Sequence, residues 1–335
     1  REKLSELERP IGLKGSELLR AETAQEARDF VSAGRKNLII NGNYDIWQRA
    51  TSTTGVLSNA YGSADRWIFH TRGCSTRNIS QQSFTTGQSD VPGNPVYYLR
   101  GEFSDDSGST GVYIMQRIED VRVGAGQFVT ASFYAKVTSG GGTVEVALSQ
   151  QFGSGGSSST NTSMGSFVPS STWKKYSFTT ILQTLSGKTV GSNSYLRLDL
   201  RMPANTAITF DVSRVQLEVG KNATDFEYRS YGEELALCQR YFEGTPVGGS
   251  FIQGDAILWS GYSITGQTFY GSRSFLVEKR AVPTVAYSGG TSNGFNTATA
   301  QVILPGTRGL LGSATASTTT GGGFFMLHFT ADAEI

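Results

Sequence analysis

The stretch VTASFYAKV, residues 129 to 137, decides the fold class, because its apolar and polar residues alternate one by one. The odd-numbered positions from Val129 to Val137 are apolar, whereas the positions between them carry hydroxyl groups or a charge. Successive side chains of a β-strand point to opposite faces of a sheet. The stretch therefore predicts a strand with one face buried in a core and the other exposed.

The same alternation recurs along the chain from residue 37 onward. Leu196, Leu198 and Leu200 alternate with charged residues, and the run from Ile208 to Val219 changes phase near Ser213-Arg214, which predicts a β-bulge. Further strands are predicted at residues 37–40, 66–71, 96–103, 112–118, 143–149 and 174–181. About ten short strands separated by turn residues are typical of a β-sandwich, here over residues 37–230. The polar stretch 153–166 predicts a mobile loop.

The composition agrees with an all-β protein. Gly accounts for 41 of 335 residues, Phe for 19 and Tyr for 14; glycine suits tight turns, and aromatic residues suit half-buried strands. Lys and Arg number 29 against 28 Asp and Glu, which gives a net charge of +1. No basic excess is available to neutralise phosphates, and no apolar run reaches the roughly 18 residues of a membrane span. We predict neither a nucleic-acid partner nor membrane insertion.

Residues 1–36 differ from the rest of the chain, because most of the clustered charge lies there. Thr23 and Glu26 form a capping box, and Gly34 stands where a helix would end, so a short helix is predicted between them. This segment is either a mobile leader or a neck where copies of the chain meet. Because the sequence opens at Arg1 and not at Met, we expect it to be a piece of a longer protein.

Residues 231–243 predict a helix that links two β domains, with Glu233 and Glu234 in the first turn, where the helix dipole favours acidic groups. The residues predicted to be buried are Tyr231, Leu235, Cys238 and Phe242. Alternation returns after Gly244 and predicts a small second β domain over residues 244–335. A domain of that size has a limited core, so we expect it to pack against other copies of itself.

Several stretches together resemble the carboxy-terminal regions of bacteriophage tail fibres and related virion-surface proteins. They are GLKGSELLRAETAQEAR (residues 12–28), NLIINGNYDIWQR (37–49), YGSADRW (61–67), FDVSRVQLEVGKNATDFEYRSYGEELALCQRYF (210–242) and FLVEKRAVPTV (275–285). NLIINGN and FDVSRVQLEVG are also similar to the first and last strands of galactose-binding-like jelly rolls, the fold of many carbohydrate-binding modules. The resemblance implies a jelly-roll domain in a homotrimer on a virion surface, attached to other virion proteins through residues 1–36 and contacting host-surface polysaccharide.

Glycan binding requires aromatic faces that cover sugar C–H groups, beside planar polar groups that meet the hydroxyls. In the first domain the candidates are Trp47, Arg49, Asp65, Arg66 and Trp67. In the second domain they are Trp259, Tyr262 and Tyr270. Both tryptophans of the first domain also suit a core position, because Trp is heavily buried on average.

Calcium is the one metal for which the sequence offers ligands. Jelly-roll modules often carry calcium between their first and last strands, and Asn41, Asn43, Asp45 and Asp211 offer the hard oxygen atoms that calcium prefers. Ordinary turn formation by Asn and Asp explains the same residues. We predict no cofactor other than calcium.

No catalytic constellation is recognisable. His70 and His328 lie outside hydrolase motifs, and the adjacent carboxylates at 105–106, 119–120 and 233–234 suit a turn, a strand edge and a helix start instead of facing each other across a cleft. The alternatives to a receptor-binding fibre are therefore non-catalytic: a collar, tail or head decoration protein, or a carbohydrate-binding module of a secreted enzyme. A depolymerase tailspike lacks support in the sequence.

Overall fold

The computed structural model describes residues 36–71, 73–104, 111–244 and 257–335. The predicted leader helix and the Asp105-Asp106 pair lie outside these residues. Within the described ranges, no helix has the length and apolar character needed to cross a membrane.

Among the described residues, eleven strands form the first sandwich. They are β1 (Ser52–Thr53), β2 (Trp67–Thr71), β3 (Arg77–Ser83), β4 (Tyr97–Phe103), β5 (Val112–Glu119), β6 (Phe128–Gly140), β7 (Val144–Gln151), β8 (Thr160–Phe167), β9 (Lys174–Ile181), β10 (Tyr195–Arg201) and β11 (Ile208–Val219). A six-stranded sheet has the order β1-β3-β4-β11-β6-β9, and a five-stranded sheet has the order β2-β5-β10-β7-β8. The two antiparallel sheets enclose one core, so the predicted jelly-roll β-sandwich is confirmed.

The alternating positions face the core as predicted. Val129, Ala131, Phe133 and Ala135 of β6 are fully buried, as are the leucines 196, 198 and 200 of β10 on the opposite sheet. Burying one such leucine contributes roughly 1.5–3 kcal/mol. The alternation thus fixes which face of each strand turns inward.

The predicted bulge in β11 is present. The register between β11 and β6 shifts between Ser213 and Gln216, and Arg214 adopts a left-handed φ of 52°. The extra residue of the bulge turns the apolar side chains after it back toward the core. Val212 and Val215, on either side of the bulge, are therefore both fully buried.

Two local predictions are wrong. Residues 37–40 form no strand, because only Leu38 donates to a neighbouring strand, at the carbonyl of Leu217, whereas the backbone N–H groups of Asn37, Ile39 and Ile40 donate to side chains, Ile40 to Oε1 of Gln116 at 2.7 Å. The second half of the polar stretch 153–166 belongs to strand β8, which pairs with β7 from Thr160 to Phe167. Met164 and Phe167 of β8 reach the core, and this burial fixes a segment whose composition is typical of a loop.

Helix α1 (Tyr231–Gln239) occupies most of the predicted linking helix. Ser230 and Glu233 form a capping box at its start, and the helix ends before Glu243. Cys238 is buried as predicted, and so is Phe242, although Phe242 lies in the following strand. Tyr231 is 61% exposed, so its predicted burial is wrong; it belongs to the first turn, which faces solvent.

Burial raises the pKa of the Cys238 thiol well above its ordinary value, and the nearby carboxylates of Asp65 and Glu234 raise it further. The thiol is therefore protonated and inaccessible in the folded chain. We expect iodoacetamide at pH 8 to leave Cys238 unmodified in native protein and to alkylate it after unfolding, as measured by peptide mass spectrometry. Alkylation at the unfolded rate in the native state would contradict the placement of α1.

In the part of the chain that the structure describes, seven strands form the second sandwich: β12 (Phe242–Gly244), β13 (Ile257–Ser263), β14 (Thr268–Ser274), β15 (Thr284–Asn293), β16 (Phe295–Pro305), β17 (Gly309–Ala316) and β18 (Thr320–Asp332). The long strand β18 pairs with β12, β13 and β15, and a separate sheet has the order β14-β17-β16. The core of the second sandwich includes the buried residues Phe295, Phe325, Leu327 and Phe329.

Candidate functional site

The structure places much of the first predicted glycan site inside the molecule. Asp65, Arg66 and Trp67 are each no more than 1% exposed. Trp67 packs in the core, and its indole N–H donates to the carbonyl of Asn41 at 3.0 Å. A side chain without accessible surface does not contact a glycan, so the prediction is wrong for these three residues. Trp47 is half-buried against the same core.

Arg49 and Arg66 instead connect the two sandwiches through Glu334. The guanidinium of Arg66 donates to the Glu334 carboxylate and lies 3.4 Å from the centre of the Tyr241 ring. Arg49 pairs with the other carboxylate oxygen of Glu334 at 3.3 Å and lies 3.6 Å from the centre of the Phe242 ring. We call Arg49, Arg66 and Glu334 the Glu334 clamp. The Glu334 clamp holds the two sandwiches together, and a glycan contact by Arg49, whose side chain is 11% exposed, stays a prediction.

Asp65 supports the same region from within the first sandwich. Its carboxylate accepts hydrogen bonds from the backbone and the side chain of Gln48. Burial raises its pKa, and the Arg49 charge partly offsets that rise. The carboxylate of Asp65 is therefore occupied by contacts with Gln48 and Arg49.

The predicted calcium ligands do not meet. Asp211 is fully buried on the outer side of the six-stranded sheet, where its carboxylate accepts from Arg100 at 2.7 Å and pairs with Lys136 at 3.6 Å. Two cations already neutralise this aspartate, so the site predicted around it is wrong.

The other three predicted ligands lie together in the loop before β1. The side chain of Asn41 donates to the carbonyls of Ile46 and Asp65 and accepts from the Ile46 N–H, which uses all of its groups. Asn43 donates to the Asp45 carboxylate at 2.9 Å. Among the described residues, no three His, Cys, Asp or Glu side chains gather as metal ligands do.

In the second sandwich, the structure separates the three predicted glycan residues. Trp259 packs against Phe269 and Phe295 with ring centres 4.4 and 5.2 Å apart, so it belongs to the core. Tyr262 and Tyr270 point outward and are 61% and 55% exposed. Their role in glycan contact stays a prediction.

A polar and aromatic surface that the predictions missed covers the outer side of the five-stranded sheet. Because the leucines of β10 face the core, its remaining residues Tyr195, Arg197, Asp199 and Arg201 face outward. Tyr113 of β5 lies directly beside Arg201 in the sheet register. We call these five residues the outer face. The alternation in YLRLDLR contains the signal for this face, but only its leucines entered the prediction.

Asp199 holds the two arginines of the outer face in fixed positions. It is fully buried, accepts from Nε and Nη2 of Arg197 at 2.6 and 2.9 Å, and accepts from Nη2 of Arg201 at 2.9 Å. Burial alone would lower the pKa of Arg197. The hydrogen bonds and the charge of Asp199 outweigh this effect, so the pKa of Arg197 is raised. Charge-assisted hydrogen bonds to one carboxylate therefore hold both guanidinium groups in place.

Each tyrosine ring of the outer face lies next to a guanidinium group. The Arg201 guanidinium lies 5.4 Å from the centre of the Tyr113 ring, and the Arg117 guanidinium lies 4.8 Å from the centre of the Tyr195 ring. The His70 ring stacks with the Tyr113 ring, with ring centres 5.1 Å apart. The outer face thus offers flat rings and fixed donors beside one another.

A depression of about 320 Å³ lies at the Tyr195 end of the outer face. It is lined by Gln151, Phe152, Gly153, Ser154, Ser157, Ser159, Ser192, Asn193 and Tyr195. The second sandwich supports its wall, because the Arg280 guanidinium donates to Oδ1 of Asn193 at 3.2 Å. Hydrogen bonding and ring stacking are the interactions that these residues provide.

No known protein family matches the chain, and no curated protein matches it. Among solved structures, the enzymatically active domain of tailspike protein 4 of bacteriophage CBA120 is 11% identical with a TM-score of 0.35, over 55% of this chain and 21% of the tailspike. The family 11 carbohydrate-binding module of Clostridium thermocellum, in complex with a mixed-linked tetrasaccharide, is 13% identical with a TM-score of 0.32, over 52% of this chain and 99% of the module. The second xylan-binding CBM22 domain of Paenibacillus barcinonensis Xyn10C is 18% identical with a TM-score of 0.32, over 46% of this chain and 92% of the domain.

Proposed function

We propose that the chain is a non-catalytic glycan-binding protein of a bacteriophage virion surface, and that its outer face contacts the glycan. The observation that carries the proposal is the array of two tyrosine rings beside the Arg197–Asp199–Arg201 ion pairs. The virion assignment rests on the resemblance of residues 12–28, 37–49, 61–67, 210–242 and 275–285 to tail fibres.

The chemistry of the outer face suits a polyhydroxylated ligand. Aromatic rings cover the C–H faces of sugars, and guanidinium groups donate in a plane to their hydroxyls. Because Asp199 already fixes Arg197 and Arg201, little side-chain entropy is lost when a glycan binds.

Tyr113→Ala tests the proposed surface. We expect the substitution to weaken binding to the glycan selected on an array at least tenfold, about 1.4 kcal/mol, because one stacking ring is removed. Tyr228→Ala is the matched control, since Tyr228 is 71% exposed and lies outside the outer face. Surface plasmon resonance against the selected glycan measures both variants. Equal affinity of Tyr113→Ala and wild type would contradict glycan binding at the outer face. Loss of binding in Tyr262→Ala and Tyr270→Ala instead would place the site on the second sandwich.

We propose further that the protein is a homotrimer held together by residues 244–335 and joined to other virion proteins through residues 1–36. Support comes from the large apolar side chains that the second sandwich exposes. They are Tyr262, Ile264, Tyr270, Leu276, Val282 and Tyr287.

Mass photometry tests this assembly. We expect particles of three copies of the 36.0 kDa chain, and the same oligomer after deletion of residues 1–36. Deletion of residues 244–335 is expected to give monomers. A 36.0 kDa particle for the full chain would favour a module of a secreted enzyme, and a trimer that binds no array glycan would favour a decoration protein.

A further inference from the structure

We propose that the depression beside Tyr195 is a preformed site for an uncharged sugar unit. The inference rests on the proposed function and specifies its ligand class and one end of its surface. Small-molecule sites span roughly 300–1,000 Å³, and the depression measures about 320 Å³. Its volume therefore suits a short part of a glycan.

Two loops, residues 152–157 and 189–193, form the walls and are bonded to each other through their backbones. The N–H of Ser154 donates to the carbonyl of Ser192 at 2.9 Å, and the N–H of Ser192 donates back to the carbonyl of Ser154 at 3.1 Å. The N–H of Gly191 donates to the carbonyl of Phe152 at 2.7 Å. These bonds hold the walls in place before any ligand arrives, contrary to the predicted mobile loop.

Glycine makes this close contact feasible. Gly153 has a φ of +76°, and a Cβ at this position would lie 2.1 Å from the carbonyl oxygen of Ser192. A Cβ at Gly191 would lie 2.0 Å from the carbonyl oxygen of Ser154. Any other residue at either position pushes the loops apart, so both glycines are required for the shape of the depression.

The lining consists of hydroxyl, amide and aromatic groups without a charged side chain. Hydroxyl and amide groups both donate and accept hydrogen bonds, as sugar hydroxyls do. Phe152 is buried beneath the depression, and Tyr195 offers a half-buried ring. The cations near the depression already have partners: Arg280 donates to the carbonyl of Ala333 and to Asn193, and Arg117, which lies 4.8 Å from the centre of the Tyr195 ring, donates to the backbone oxygen of Ile335. Lys188 lies 5.6 Å from the centre of the Phe152 ring. A neutral sugar matches this lining, whereas a carboxylate would be desolvated without a cation dedicated to it.

Gly153→Ala and Gly155→Ala form a matched pair for the test. Both glycines lie in the same loop, with φ values of +76° and +75°, so alanine meets the same backbone strain at each. A Cβ at Gly155 has no atom within 4 Å, whereas the Cβ at Gly153 collides with the opposite wall. The two variants therefore differ in the shape of the depression.

The probes are the neutral oligosaccharide that binds best on an array and, by saturation-transfer NMR, glucose, galactose, N-acetylglucosamine and glucuronate. We expect wild type and Gly155→Ala to bind the neutral probes alike, and Gly153→Ala to lose at least tenfold in affinity. Tyr195→Ala, which removes the ring without altering the loops, is expected to lose as much. It keeps the test valid if Gly153→Ala fails to fold.

The outcomes separate this inference from the proposed function. An array without any bound glycan contradicts the proposed function, and this inference with it. Glycan binding that persists in both Gly153→Ala and Tyr195→Ala contradicts the site in the depression and leaves the proposed function intact. Binding restricted to uronate-containing or other acidic glycans contradicts the ligand class.

Discussion

Glu334→Ala is expected to lower the free energy of unfolding by roughly 3–5 kcal/mol, the cost of removing one partner of a buried ion pair. Arg66 is 1% exposed and Glu334 5% exposed, so water does not replace the lost carboxylate. Arg49, 11% exposed, loses the same partner. Urea denaturation followed by circular dichroism measures the change.

Asp332→Ala is the control for this prediction. Asp332 contacts Arg49 at the same 3.3 Å as Glu334, but its side chain is 42% exposed. Exposed ion pairs contribute about 0–1 kcal/mol, so only a small loss is expected. Equal losses in the two variants, or none in Glu334→Ala, would show that the Glu334 clamp does not stabilise the contact between the sandwiches.

Glu243→Ala is expected to destabilise the protein by a similar amount, about 3–5 kcal/mol. The side chain of Lys279 has no exposed surface, and its Nζ donates to Glu243 and to the carbonyl of Gln239, both at 2.6 Å. Removing the carboxylate leaves a buried ammonium without its counter-charge. The double variant Lys279→Met/Glu243→Leu is expected to recover most of the loss, because apolar replacement of a buried pair is often neutral. A double variant as unstable as Glu243→Ala would indicate that packing, and not charge, dominates at this position.

The Lys279 pair also predicts a pH dependence. Burial lowers the pKa of Lys279, and Glu243 partly offsets this effect. Between the lowered pKa and the ordinary value of 10.5, the unfolded chain binds more protons than the folded chain, so the stability contribution rises with pH in that window. We expect the unfolding free energy of wild type relative to Lys279→Met to increase there. A difference that falls with pH would contradict the assigned burial.

The alternation of apolar and polar residues was enough to predict the sandwich, because the residues of a single strand already define which of its faces points to the core. The predicted range Lys174 to Ile181 agrees with β9, and the phase change in β11 is a bulge at the predicted place. By contrast, Arg66 is buried by Glu334, which lies far away in the chain. No local pattern indicates that contact, and an Asp-Arg-Trp sequence suits an exposed binding site equally well.

The polar stretch after β7 shows a different limit of sequence reasoning. Glycine and serine are typical of mobile linkers, yet here Gly153 permits backbone contact with Ser192 and fixes the wall of the depression. The conformation of a glycine depends on what lies opposite it, which only the tertiary structure determines. The outer face, in contrast, was readable from the alternation in residues 195–201, because the core position of the leucines implies the exposure of the tyrosine and arginines between them.

A crystal structure of the protein with the glycan that binds best on an array would locate the binding site. We expect sugar rings on the five-stranded sheet, in contact with Tyr113 and Tyr195 and within hydrogen-bond distance of Arg197 or Arg201. Glycan bound at Tyr262 and Tyr270 of the second sandwich, with the outer face vacant, would contradict this expectation.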